Sequence, residues 1–352
     1  MPTVHVVVPA GIDDPARPSG GNRYDRRLCD GLAATGWAVR EHAVPGAWPR
    51  PGRTDLRRLA GTMAAVPDDA VVVVDGLIGS AAAPVLGPEA ARLRLVVLVH
   101  MPFLAPVGDE RAALAHARAV VTTSAWTRER LVADHDLPPE RVHIASPGVD
   151  RGDPAPGTDD GGRLLCVAAV VPHKGQDVLV EALAQVAGSS WHCTVVGPLD
   201  SDPVFVERLR RAVGRSGIGD RVAFAGPEDG DALRREFSRA DLLVAPSRLE
   251  AYGMAAAEAL AVGLPVVASA VGGLPEALGR TRLGVPGLLV PPGDPGALRA
   301  ALSTWLDDRD LRGRLRRTAL ARRETLAGWD STTARVAAVL TAVSDRSGLV
   351  AR

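Results

Sequence analysis

The segment SRLEAYGMAAAEAL places two carboxylates, Glu250 and Glu258, eight positions apart on either side of Gly253. A carboxylate accepts from two donors at once, so the vicinal diol of a ribose or a sugar ring is a natural partner for such a pair. Glu258 has apolar neighbours on an alanine-rich helix, which suits a solvated face poorly. Gly253 breaks the chain just ahead of that helix. Amides near Met254 and Ala255 then lack intrahelical acceptors, and with the positive helix end they favour a diphosphate. Lys174, in VVPHKGQDVL, is the single lysine among 41 basic side chains, and Asn22 is the single asparagine. A chain that uses arginine everywhere else keeps here a compact charge with three donors. It suits a position between phosphates where a planar guanidinium is bulkier. Gly20-Gly21, just before Asn22, lets backbone approach an oxyanion at the start of a helix, although a bare Gly-Gly equally makes a turn. His100 closes the apolar run LRLVVLVH, where it reads as a site residue or as a strand-end cap.

These groups need elements that bring them together. Short Val-rich runs at 4–9, 70–76, 93–100 and 119–124 are apolar throughout and predict parallel strands buried on both faces, with helical patterns such as 22–34 and 125–134 between them. The series stops at SPGVDRGDPAPGTDDGGR (146–163), which is rich in Gly, Pro and Asp and has no period. A second series follows at 164–171, 192–197, 221–226, 241–247 and 264–269. The expected fold is α/β, of two doubly wound Rossmann-like domains facing across a cleft. Residues 1–150 form the first domain, 151–162 a linker and 163–320 the second domain. Residues 321–352 form a helical tail packing back on the first domain. In open α/β sheets ligands sit outside the carboxyl ends of the strands. GGNRYDRRL, His100, HKG, SRLEAYG and AVGG all fall at such ends.

Composition excludes several classes. The chain of 352 residues carries 41 basic and 41 acidic side chains. It lacks the clustered basic excess of a nucleic-acid binder. The first 150 residues are also near neutral, which argues against a lipid acceptor at an anionic membrane. Cys29, Cys166 and Cys193 follow no metal spacing and are odd in number, as expected in a reducing cytoplasm. The start, MPTVHVVVPAG, reads as a first strand and not as a signal peptide. The late glycines of GIDDPARPSGGN miss the G-x-G-x-x-G spacing of a dinucleotide-binding dehydrogenase.

SRLEAYGMAAAEALAVGLPVVASAVGGLPEAL (247–278) resembles the signature of the family 4 retaining glycosyltransferases of GT-B fold, with Glu250 and Glu258 as its E-x7-E motif. GGNRYDRRLCDGLAATGW resembles that family's N-terminal glycine loop and helix, and VPHKGQDVLVEAL its phosphate-binding lysine segment. VVTTSAWTRERLV, IASPGVD and GLLVPPGDPGALRAAL are similar to further family segments, so the resemblance covers nearly the whole chain.

The resemblance implies a transfer from a UDP- or GDP-sugar to an acceptor hydroxyl, without a metal or other cofactor, and the neutral first domain favours a small soluble acceptor. Lys174 would contact the diphosphate, and Glu250 would hold sugar hydroxyls near the reacting carbon. Glu258 would bind the ribose, and backbone around Tyr252, Gly253 and Met254 would touch sugar and phosphate. Gly20, Gly21 and Asn22 would close over the diphosphate, and His100 would lie near the transferred sugar. Ala169 stands where the family usually has an arginine, which leaves His173 or Arg248 to supply that charge. Ala251 and Tyr252 replace the usual glycine and phenylalanine. A sugar-nucleotide-binding protein without robust catalysis and a glycosyl phosphorylase of the same fold are the alternatives. The loops 45–53, 75–84 and 100–110 are expected to shape the acceptor site, and secondary metabolism is the expected setting.

Overall fold

The computed structural model describes residues 1–103, 110–186 and 190–345. The chain divides into two compact units. The first comprises Met1–Asp13, Gly20–Gly148 and Trp329–Arg352, and the second Asp14–Ser19 and Val149–Gly328.

The first unit is built on a parallel sheet in the order β2-β1-β3-β4-β5-β6, where β1 is Thr3–Pro9, β2 Ala38–Val44, β3 Val71–Asp75, β4 Arg94–Val99, β5 Ala119–Thr122 and β6 Val142–Ile144. The central strands β3 and β5 are buried at every residue because helices cover both faces, which is why they read as unbroken apolar runs. Strand order reverses between β1 and β3, and a crevice at the carboxyl ends of the strands opens at such a switch point. Helix Trp329–Asp345 packs on helix Gly20–Ala34. The hydroxyl of Thr332 donates to the carbonyl of Ser146 at 2.8 Å, and the rings of Tyr24 and Trp329 meet edge to face.

The second unit repeats the plan with the order β12-β11-β10-β7-β8-β9. Its strands are β7 Arg163–Val167, β8 His192–Val196, β9 Val222–Gly226, β10 Leu242–Ala245, β11 Val266–Ser269 and β12 Gly287–Val290. Alternate residues of β7 and β10 serve opposite faces, as the two-residue strand period requires. Leu164, Cys166, Leu242 and Val244 pack with Val178, Leu179 and Leu183 of helix Gln176–Ala184. Leu165 and Leu243 pack with Ala256 and Leu260 of helix Met254–Ala261. The switch point lies between β7 and β10.

Residues 151–162, expected as a linker, are instead a strap hydrogen-bonded to the second unit. The backbone of Ala155 donates to the Val262 carbonyl at 2.8 Å, and the Trp305 indole donates to the Gly161 carbonyl at 2.8 Å. Thr158 donates through both backbone and hydroxyl to Asp241, which is fully buried, and Arg163 donates its backbone N–H to the same carboxylate at 2.9 Å. Glycine and proline free this stretch from regular structure, but its polar groups find partners on the unit beneath. The tail expected from 321 divides differently. Helix Arg309–Thr325 belongs to the second unit, and the return to the first unit comes between Gly328 and Trp329.

Candidate active site

At the switch point of the second unit, the chain leaves β7 through a single 3-10 turn, Pro172–Lys174, and enters helix Gln176–Ala184 at Gly175. Gly175 has a φ of 72°, and a Cβ there would lie 2.1 Å from the Pro246 carbonyl oxygen. Only glycine lets this turn press against the end of β10. The buried Gln176 ties the turn down by donating to the Ala169 carbonyl at 2.9 Å. The backbone N–H of Arg248 donates to the His173 carbonyl at 2.8 Å. The chain beyond β7 is thereby fixed to the chain beyond β10.

That junction delivers Lys174 to Glu250. Nζ lies 2.7 Å from Oε2, with both side chains mostly shielded from solvent. The hydroxyl of Ser247 donates to the same oxygen at 3.4 Å. The loop after β11 clamps the backbone on the far side. Gly273 donates its N–H to the Glu250 carbonyl at 3.0 Å, and a Cβ on Gly272 would lie 1.7 Å from that oxygen. Gly253, with a φ of 101°, opens helix Met254–Ala261. Lys174, Ser247, Glu250, Gly253 and Ala255 line one small pocket, so the charged pair faces the amino end of this helix. Glu258 sits half-buried one turn further along, and Tyr252 is buried behind.

Neither residue expected to replace the missing arginine lines the pocket. Arg248 makes a fork to Asp177 at 2.7 and 2.9 Å and also donates to the Pro172 carbonyl. His173 has its pKa lowered, first by burial and then by Lys174. Lys174 is the cation of this pocket.

The first unit gathers the remaining residues at its own switch point. Gly20 and Gly21 are not a loop ahead of the helix but its first turn, followed by Asn22. A Cβ on Gly21 would stand 3.1 Å from Cδ2 of His100, so the glycine allows the ring to approach. His100 follows β4, and its Nε2 lies 2.8 Å from Oδ1 of Asp25 and 3.3 Å from Oδ2 of Asp75. The sequence showed no metal spacing, yet the fold brings one donor atom from each of these three residues within 4.8 Å of the others. Asp25 and Asp75 escaped the sequence reading. Asp75 left a signal as the charge that ends the run AVVVVD, whereas Asp25 is one polar residue among several in GGNRYDRRL. Of the loops expected at the acceptor site, residues 104–109 lie outside the described residues.

Residues 155–322 match the family of glycosyl transferases group 1. That match contains Lys174, Glu250 and Glu258. The chain is 35% identical over 225 residues to a D-inositol 3-phosphate glycosyltransferase 1 of Catenulispora acidiphila, covering 58% of this chain and 52% of that protein. It is 33% identical over 268 residues to a D-inositol 3-phosphate glycosyltransferase of Thermomonospora curvata, covering 69% and 61%. The chain thus spans between about half and three fifths of the length of these relatives. Among solved structures, sucrose-phosphate synthase from Thermosynechococcus elongatus superposes with a TM-score of 0.79 at 23% identity, covering 97% of this chain and 99% of that one. Anabaena HepE in complex with UDP and glucose superposes with a TM-score of 0.76 at 18% identity, covering 97% and 100%. The fold is the two-unit Rossmann-like α/β fold of GT-B type. No helix among the described residues is long and apolar enough to cross a membrane.

Proposed function

We propose that this chain is a retaining, family 4 type glycosyltransferase that moves a sugar from a nucleotide-diphosphate sugar to a hydroxyl of a small polar acceptor. The observation that carries this reading is the Lys174–Glu250 pair at the switch point, facing the glycine-opened end of helix Met254–Ala261. A half-buried lysine beside the amides at a helix start suits a diphosphate, and carboxylates on either side of it suit a sugar and a ribose. Of the two candidate donors, a UDP-sugar is favoured because HepE has been solved with UDP and glucose. The relatives named for D-inositol 3-phosphate suggest a polyol or its phosphate as acceptor.

In this mechanism the diphosphate takes Lys174 from Glu250, and the released carboxylate turns to the hydroxyls of the donor sugar. The bond between the anomeric carbon and the phosphate oxygen breaks. The acceptor hydroxyl forms its bond on the same face, and its proton passes to the departing phosphate oxygen. Lys174 and the helix amides stabilise the charge that develops on the diphosphate, as preorganised donors do in a water-poor site. The positive field they supply is the one a metal would otherwise give, so turnover needs no added metal. The three free, buried cysteines suit a cytoplasmic enzyme, and secondary metabolism suits a small soluble acceptor.

The test is calorimetric titration with UDP and GDP, beside mass-spectrometric detection of product from UDP- and GDP-sugars with inositol and inositol phosphate. Saturable nucleotide binding together with a glycoside product is the expected result. Binding without product would make the chain a sugar-nucleotide-binding protein. Glycosyl phosphate formed from inorganic phosphate would make it a phosphorylase.

A further inference from the structure

We infer that Asp25 and Asp75 form a two-carboxylate clamp that holds His100 as a fixed imidazolium, making His100 a hydrogen-bond donor and not a base. Three elements at the carboxyl edge of the first sheet supply the parts. Asp25 comes from helix Gly20–Ala34, Asp75 ends β3, and His100 follows β4. Both carboxylates meet the same ring nitrogen, Nε2, at 2.8 and 3.3 Å. A nitrogen that faces two ionised carboxylate oxygens at these distances carries a hydrogen, and the paired negative charge favours a second proton on Nδ1. Nδ1 is then the nitrogen through which the ring meets a ligand.

The surroundings hold the arrangement in place. The side chains of both aspartates are 3% exposed, so neither charge is relieved by water. Asp75 is further fixed because its Oδ1 accepts the backbone N–H of Leu77 at 2.9 Å. Tyr24 packs edge-on against the imidazole at 5.1 Å between centroids, and its hydroxyl donates to the Ala145 carbonyl at 2.8 Å. Tyr24 is itself under the field of Asp25 and of Arg335 from helix Trp329–Asp345. Burial alone would lower the pKa of His100, but the charge and hydrogen bonds of Asp25 and Asp75 outweigh it and push it up to about 10. Burial pushes the Asp25 carboxyl up, to about 7; the imidazolium pulls it down, and the neighbouring Asp75 raises it by charge and by a hydrogen bond.

The placement of the clamp stands on this geometry, and the second ring proton on the charge of the two carboxylates. Its role in turnover rests on the proposed glycosyl transfer, where a proton-saturated His100 can donate to a substrate oxygen but cannot take the acceptor proton. That is compatible with a transfer in which the leaving phosphate takes it. Asp25 and Asp75 are in this account positioning residues.

The experiment is a pH titration of the full chain by ¹⁵N NMR of the histidine rings, with His100 assigned by loss of its signals in His100→Gln. The ring of His100 should stay doubly protonated from pH 6 to about 9, and in Asp25→Asn it should titrate near the ordinary imidazole value of about 6.5. Asp75→Asn should shift it less, in keeping with the longer contact. If Asp25→Asn does not fold, the wild-type titration decides alone. A wild-type His100 that titrates near the ordinary value overturns the clamp. So does displacement of the ring proton by zinc or manganese at micromolar concentration, which would make the cluster a cation site. Turnover of Asp75→Asn, measured from pH 6 to 9, should gain an alkaline limb that the wild type lacks. An NMR result as expected in a protein without transfer activity would support the clamp and remove the glycosyltransferase reading.

Discussion

At the scale of single residues, Lys174 has a partner before any substrate arrives. The pair with Glu250 means that a diphosphate competes with a carboxylate for the ammonium group. Lys174→Ala should therefore abolish transfer, since removal of one donor to developing charge costs about 2.7–4 kcal/mol, and Lys174→Arg should retain only a small residue of activity. Glu250→Ala frees the lysine, so it should keep or strengthen binding of free nucleotide while turnover is lost. Glu258→Ala should weaken nucleotide binding itself, because it removes the expected ribose contact. Calorimetry on the two variants checks these roles, and equal loss of nucleotide affinity in both would contradict them. Lys174, Glu250 and Glu258 were legible in the sequence because each departs from its surroundings: one lysine among arginines, and two acids framing a glycine-broken apolar helix. Asp25 was not, because a partner 75 positions away leaves no local trace, and Asp75 showed only as the charge that ends an apolar run. His100 adds a stability prediction. Its folded pKa of about 10 lies above the unfolded value of about 6.5, so its proton contributes stability that is complete below the lower value and lost as pH rises towards the higher. Denaturant unfolding should show stability falling between pH 7 and 10, and His100→Gln should flatten that fall.

At the scale of elements, glycines set how closely the site segments approach. A side chain at Gly175 would collide with the Pro246 carbonyl and adopt a left-handed backbone. Gly175→Ala should destabilise the protein by about 1–3 kcal/mol and move Lys174 off Glu250, seen as a lowered melting temperature with weakened nucleotide binding. Gly21→Val should act differently. The new side chain meets the ring of His100 and not backbone, so rate should fall while nucleotide affinity changes little. The strand series was readable where burial on both faces makes continuous apolar runs, as in β3, β4 and β10. Three strands were not. β2, AVREHAV, is an edge strand with charged, partly exposed positions, and it lacks the unbroken apolar run of its neighbours. β6 has three residues, and β12, GLLV, is four residues between prolines. Strands so short at the sheet edges take their pairing from the sheet already formed.

At the scale of the whole molecule, apart from the short segment Asp14–Ser19 that belongs to the second unit, the chain crosses between units first at Gly148–Val149 and returns at Gly328–Trp329. Glycine- and proline-rich composition marked the first crossing but not that the following strap is hydrogen-bonded through Asp241 and Trp305. The return was visible only as a helical tail, since its destination depends on surfaces assembled from distant segments. Gly31 lies where a Cβ would stand 2.1 Å from the Thr333 hydroxyl, so the tail helix seats directly on helix Gly20–Ala34. Truncation after Gly328 should uncover Tyr24 and the apolar face beside it, and lower the melting temperature or cause aggregation. The central claim, a same-face transfer driven by Lys174, is tested most directly by the anomeric configuration of the product. The purified chain and its Lys174→Ala variant would be compared by NMR after incubation with a UDP-sugar and an inositol acceptor. The wild type should give a glycoside that keeps the configuration of the donor, and the variant no product. An inverted product, or equal product from both proteins, would contradict that claim.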